Sequence, residues 1–68
     1  MSPMRFELRL EGTLSDADKA AFGDVRVTET APQTIVEAEV VDESQLHGLI
    51  ALCRRLGVTV VSLQRVLD

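Results

Sequence analysis

Residues 4–11 read Met-Arg-Phe-Glu-Leu-Arg-Leu-Glu, an unbroken alternation of apolar and charged side chains. A period of two is typical of a β-strand with one buried face and one face in water. We therefore expect Phe6, Leu8 and Leu10 to point into a core, and the charged residues between them to face solvent. Gly12 ends this strand.

A short helix is predicted after the first strand. Ser15 can cap its N-terminus, with Asp18 three residues later where a capping box has its acid, and Gly23 is a natural stop. A helix of about two turns is not stable alone, so its apolar side chains must dock on a sheet. The residues expected to do so are Ala17, Ala21 and Phe22.

The middle of the chain has the pattern of a β-hairpin. Residues 24–30 and 34–41 both alternate, and residues 31–33, Ala-Pro-Gln, form the turn between them. A connection this short joins antiparallel neighbours. Pro32 is expected at the first corner of the turn, because its ring presets φ there.

The clearest helix runs over residues 42–56. Asp42 is the predicted cap, Gln45 completes a capping box, and Gly57 ends the helix. Apolar residues recur three and four apart and form one stripe, which consists of Leu46, Leu49, Ile50, Cys53 and Leu56. Residues 58–66 form a fourth strand whose apolar side chains fall on both parities, so its buried face is ambiguous.

The order strand, helix, strand, strand, helix, strand predicts an α+β fold, the ferredoxin-like split βαβ sandwich, as a single domain over residues 1–68. Four antiparallel strands in the order 4-1-3-2 then carry both helices on one face. Because strand one lies beside strand three in this order, we expect Arg5 and Arg9 to lie near Glu37 and Glu39.

Composition excludes several classes of protein. A single cysteine cannot form an internal disulfide, and one cysteine with one histidine cannot build an ordinary zinc site within one chain. No apolar run reaches the roughly 18 residues of a membrane span, so no membrane insertion is expected. No nucleotide-binding glycine motif is present, so we expect no cofactor. The net charge of −4 opposes binding to nucleic acid. The N-terminus does not resemble a signal peptide, so a cytoplasmic location is expected.

Two residues are candidates for a ligand-binding or catalytic role. His47 could act as a general base, but no acid or hydroxyl partner can be assigned from the spacing, which favours a structural role. Gly12 could let a ligand approach backbone N–H groups ahead of a helix, but relief of a turn is the simpler interpretation. Cys53 is expected to be a buried, unreactive thiol, and Glu37 with Glu39 a solvated, salt-bridged face.

Three stretches resemble a family of short bacterial proteins that has no assigned biochemical role. Residues 5–12 look like its first strand and glycine, and residues 56–63 look like its closing strand. Residues 40–50, Val-Val-Asp-Glu-Ser-Gln-Leu-His-Gly-Leu-Ile, look like its V-V-D-x-x-x-L-H-G-L-L helix start. More loosely, the element order is similar to that of ACT domains, which bind amino acids between paired subunits.

We expect a small interaction or regulatory module without enzymatic activity, acting as a homodimer and able to bind a further protein. The last strand is the expected interface, because it has no charge before Arg65 and more apolar residues than one buried face requires. Val60 is expected to face outward there. Two alternatives stay open: an ACT-like small-ligand sensor that uses the Gly12 turn, and a small enzyme with His47 as base, completed by a second subunit.

Overall fold

A computed structural model describes residues 3–67 as one four-stranded antiparallel sheet and two helices. The elements in chain order are β1 (Met4–Glu11), α1 (Asp16–Ala21), β2 (Arg26–Thr30), β3 (Gln33–Val40), α2 (Glu43–Leu56) and β4 (Val60–Val66). The order across the sheet is β2-β3-β1-β4. The predicted α+β class, element order and strand neighbours are therefore confirmed.

β1 lies inside the sheet and pairs with a strand on each side. Leu8 is opposite Val36 of β3 and opposite Leu63 of β4, and Leu10 is opposite Thr34 of β3. The side chains of Leu8 and Leu10 are fully buried, as the alternation predicts. The core gathers on this face of the sheet, and its buried cluster consists of Leu8, Leu10, Leu14, Phe22, Val36 and Cys53.

The apolar contacts that dock α1 on the core come from the residues at its two ends and not from residues within the helix. No residue within Asp16–Ala21 is buried, whereas Leu14 before the helix and Phe22 after it belong to the core cluster. The predicted cap is present, since the Asp18 N–H donates to Ser15 Oγ at 3.1 Å. The expectation that Ala17 and Ala21 dock on the sheet is wrong, because both side chains are exposed.

Both ends of α2 are fixed by local hydrogen bonds. At the start, the Gln45 N–H donates to Asp42 Oδ1 at 2.9 Å, and Gln45 Oε1 accepts the Val41 N–H at 2.8 Å. The box is thus closed one residue earlier than the usual pattern, on Val41. At the end, Gly57 adopts a left-handed conformation, with φ of 74°, and the Val58 N–H donates to the Cys53 carbonyl in a Schellman arrangement.

The apolar stripe of α2 divides into two parts. Cys53 is fully buried, and Leu49, Leu52 and Leu56 pack against the core cluster. Leu46 and Ile50, which the periodicity also assigns to the core, are half-buried and are not packed against that cluster. Leu52, which the predicted stripe omitted, therefore packs against the core cluster, and Leu46 and Ile50 are partly buried beside it without joining it.

The hairpin between β2 and β3 is tighter than predicted. Thr30 pairs with Gln33, so the loop is Ala31 and Pro32 alone. Pro32 occupies the second corner, with a cis Ala31–Pro32 peptide bond, and not the first corner. β2 starts two residues later than expected and β3 one residue earlier, with Gln33 in the strand.

The solvent face of the sheet carries alternating charges. Arg5 lies opposite Glu39, and Arg5 Nη2 is 3.6 Å from Glu39 Oε1, as the topology predicts. Arg9 is directly opposite Ile35, with Glu37 as its diagonal neighbour on the same face. Arg9 pairs with Glu7 of its own strand, at 3.6 Å.

The cap at Asp42 is expected to stabilise the whole fold. Asp42→Ala removes the acceptor for the Gln45 N–H and should lower the free energy of unfolding by about 1 kcal/mol, a fall of about 4–8 °C in melting temperature for a domain of this size. Asp42→Asn keeps an acceptor at the same position and is the control. Equal melting temperatures for wild type and Asp42→Ala would contradict this role.

Candidate functional site

The Gly12 turn is occupied by the chain's own hydrogen bonds. Gly12 has φ of 86°, a conformation that favours glycine. Its N–H donates to the Pro32 carbonyl at 2.8 Å, and its carbonyl accepts from Thr34 Oγ1 at 2.7 Å. Thr34 is itself fully buried. This glycine therefore joins the β1–α1 turn to the β2–β3 hairpin, and its N–H is already used.

His47 lies on the solvent side of α2. Its side chain is exposed, and within residues 3–67 it makes no hydrogen bond or ion pair. It lines none of the three grooves described here. A catalytic role for His47 would need groups supplied by another molecule.

Val60 does not face outward, and the reason is a β-bulge. Ser62 pairs with Arg9 and Val60 pairs with Leu10, so Val61 is an extra residue between two regular pairs. The bulge reverses the parity of β4 and puts Val60 on the same face as Leu63, where Val60 packs against the core cluster. The two-parity pattern of β4 in the sequence is the signature of this bulge.

Cys53 is a core residue, as predicted. The side chain is fully inaccessible, and burial raises the pKa of the Cys53 thiol, because a buried thiolate would lose its hydration. A thiol of this kind is neither a nucleophile nor a metal ligand in the native state. Within residues 3–67, no group of three or more His, Cys, Asp and Glu side chains is placed to hold a metal ion.

The grooves of the surface are shallow and mixed in charge. One, of about 510 Å³, lies on the solvent face and has both arginines and acids in its wall, including Arg5, Arg26, Glu37 and Glu39. A second, of about 350 Å³, runs between α2 and the α1–β2 connection. A third, near Met4 and Val66, is smaller. None of them gathers a nucleophile with a base or several donors around one point.

The least protected surface is the free edge of β4, which we call the β4 edge. Of the four large apolar side chains exposed within residues 3–67, three lie on or directly after β4: Val61 (50% exposed), Leu63 (38%) and Leu67 (77%). The opposite edge, β2, is exposed through charged and hydroxyl side chains, and an ion pair between Lys19 and Glu29 covers it from α1. The hydrogen bond to Glu29 raises the pKa of Lys19.

The structure thus defines a small α+β protein with an open sheet and one apolar edge, without an evident catalytic centre in the described part of the chain. The chain belongs to the family described as "Domain of unknown function (DUF8691)", whose model matches residues 5–64. The expected membership in an uncharacterised family agrees with this match. No curated protein matches the chain, and no solved structure does. Neither helix within residues 3–67 has the length and apolar content to cross a membrane.

The buried hydrogen bond of Thr34 is expected to fix the Gly12 turn. Thr34→Val keeps the shape of the side chain but leaves the Gly12 carbonyl without its donor, which should cost about 0.5–1.5 kcal/mol of unfolding free energy. Thr34→Ser keeps the hydroxyl and loses only a methyl group, so it should cost less. Chemical unfolding of the three proteins measures this, and Thr34→Val as stable as wild type would contradict the assignment.

Burial of Cys53 also predicts a pH dependence. An unfolded thiol has a pKa of about 8.5, and the folded pKa is higher. The unfolded chain therefore loses its thiol proton at a lower pH than the folded chain does. The stabilisation that the neutral thiol gives is complete below the unfolded pKa and is lost as pH rises through the folded pKa. The stability difference between wild type and Cys53→Ala should therefore shrink from pH 7 to pH 10 in urea unfolding. Thiol labelling of the native protein as fast as that of unfolded chains would show that Cys53 is not buried.

Proposed function

We propose that this protein is a small non-enzymatic interaction or regulatory module that works as a homodimer through the β4 edge. The single observation that supports the proposal is the exposure of Val61 and Leu63 on an edge strand with no charge before Arg65. An edge strand presents unpaired N–H and C=O groups, and natural proteins normally protect such an edge with charge. β2 carries Arg26 and Glu29 along its length, whereas β4 carries no charge before Arg65.

The size of the chain supports the same proposal. A domain of 68 residues buries a smaller share of its surface than a larger one and has little stability to spare. No disulfide is available, since Cys53 is the one cysteine. Association adds stability by mass action, because a partner that binds only the folded state shifts the folding equilibrium.

The ferredoxin-like fold, the bacterial origin and the cytoplasmic location are also part of the proposal. We propose a ferredoxin-like sandwich, supported by the βαββαβ order and by the shared core of β1, β3, α2 and the residues flanking α1. A bacterial, cytoplasmic protein fits the family resemblance and the single reduced thiol. The alternatives at Gly12 and His47 gain no support, because Gly12 uses its own N–H and His47 has no catalytic partner in the described chain.

Val61→Lys tests the proposal on the strand itself. Wild type should sediment as a dimer at high micromolar concentration, and a lysine at an exposed position of the β4 edge should raise the dimer Kd about tenfold or more, because the charge must be desolvated in each copy. Thr28→Lys, at an exposed position on β2, is the control and should leave the dimer intact. A wild type that sediments as a monomer would overturn the proposal.

A further inference from the structure

α2 has two flanks that face opposite ends of the sheet. Gln45, Gly48 and Leu52 line the groove that also contains Phe22 and Val25, so this flank faces α1 and β2. Successive residues of a helix are turned by about 100°. Leu46 follows Gln45 by one residue, and Ile50 precedes Leu52 by two. Both side chains are therefore turned away from that groove, toward the β4 end of the sheet.

The flank toward β4 carries two apolar side chains that each keep part of their surface accessible. Leu46 and Ile50 are half-buried and are not packed against the core cluster, although Leu49 and Leu52 on the same helix are. We call the surface formed by Leu46, Ile50, Glu43 and Arg54 the β4-side flank of α2. Because this flank is turned away from the α1–β2 groove, we expect it to lie beside the β4 edge and to continue it as one apolar strip.

Charges of opposite sign frame this strip at its two ends. Glu43 lies three residues before Leu46 in the first turn of α2, and Arg54 lies four residues after Ile50 in the last turn. Residues three and four apart share a helix face, so both charges belong to the β4-side flank. Arg55, by contrast, lines the groove on the other flank.

The symmetry of a β4-paired dimer brings two such flanks together. Antiparallel pairing of β4 with a second β4 requires a two-fold axis perpendicular to the sheet, which keeps the helices of both copies on the same face. The same axis makes the two α2 helices antiparallel, and we expect them to be neighbours across it. In that arrangement the first turn of each helix faces the last turn of the other, so Glu43 approaches Arg54 of the partner subunit twice, once on each side of the axis.

The strand edge alone is a limited interface. The bulge at Val61 twists one end of β4, and Arg65 lies on the helix-facing side, opposite Phe6. Both features restrict edge pairing to the short segment between them. An interface that includes α2 adds apolar burial from Leu46 and Ile50 and fixes the orientation through charge.

We infer that the second copy of this chain is bound by the β4-side flank of α2 as well as by the β4 edge, with Leu46 and Ile50 packed between the two helices and Glu43 paired with Arg54 of the partner subunit. The inference rests on the proposed self-association and names the second surface that it uses. Opposite charges at the two ends of α2 are complementary to the same helix of a second copy in antiparallel orientation.

Charge reversal tests the inference by sedimentation velocity over a range of concentrations. Glu43→Arg and Arg54→Glu should each raise the dimer Kd about tenfold, because each replaces two attractions by two repulsions. The double variant Glu43→Arg/Arg54→Glu restores opposite charges and should return the Kd to near the wild-type value. Ser44→Arg and Arg55→Glu place the same charges in the same turns but on the other side of the helix, so they should leave the Kd unchanged.

The outcomes separate this inference from the proposed function. A monomeric wild type would overturn both. A wild-type dimer that Val61→Lys weakens, but whose Kd is unaffected by Glu43→Arg or is not restored in the double variant, would overturn the role of α2 and leave the β4 edge as the interface. Melting temperatures of all variants at low concentration show whether a changed Kd reflects a changed fold.

Discussion

The placement of β1 between two antiparallel partners is the constraint on which the rest of the structure depends. Leu8 and Leu10 are fully buried, and they can be buried only if helices cover their face and strands flank β1 on both sides. The βαββαβ order supplies this arrangement, because β3 and β4 reach β1 from opposite sides. The same arrangement makes β2 and β4 the two edges, and the edges are where the chain can meet another molecule.

Most of the fold follows from local signals that agree with one another. The alternation of β1, the caps at Ser15 and Asp42 and the stop at Gly57 each act within a few residues, so the sequence is sufficient to predict them. The pairing of β1 with β3 follows because one element order has few compact solutions. The cross-strand ion pair of Arg5 with Glu39 was predictable for the same reason.

The features that the sequence did not predict all depend on how elements rotate or slip against each other. The bulge at Val61 changes the parity of β4 and turns Val60 inward, which no alternation pattern can specify. The rotation of α2 about its axis packs Leu52 against the core cluster, where the sequence pattern predicted Leu46 and Ile50. For the candidate site, the composition of β4 was sufficient to predict an edge strand with few charges. The side chains that β4 exposes, and the flank of α2, could be identified only from the three-dimensional arrangement.

Hydrogen exchange of backbone amides at low and high protein concentration is the most direct test of the proposed dimer contact along the β4 edge. Edge-facing amides within residues 62–64 should become slower to exchange as concentration rises, because pairing with a second β4 buries them, while amides of residues 26–30 on the other edge should not change. Exchange in β4 that is independent of concentration, or protection that grows on β2 instead, would contradict the account.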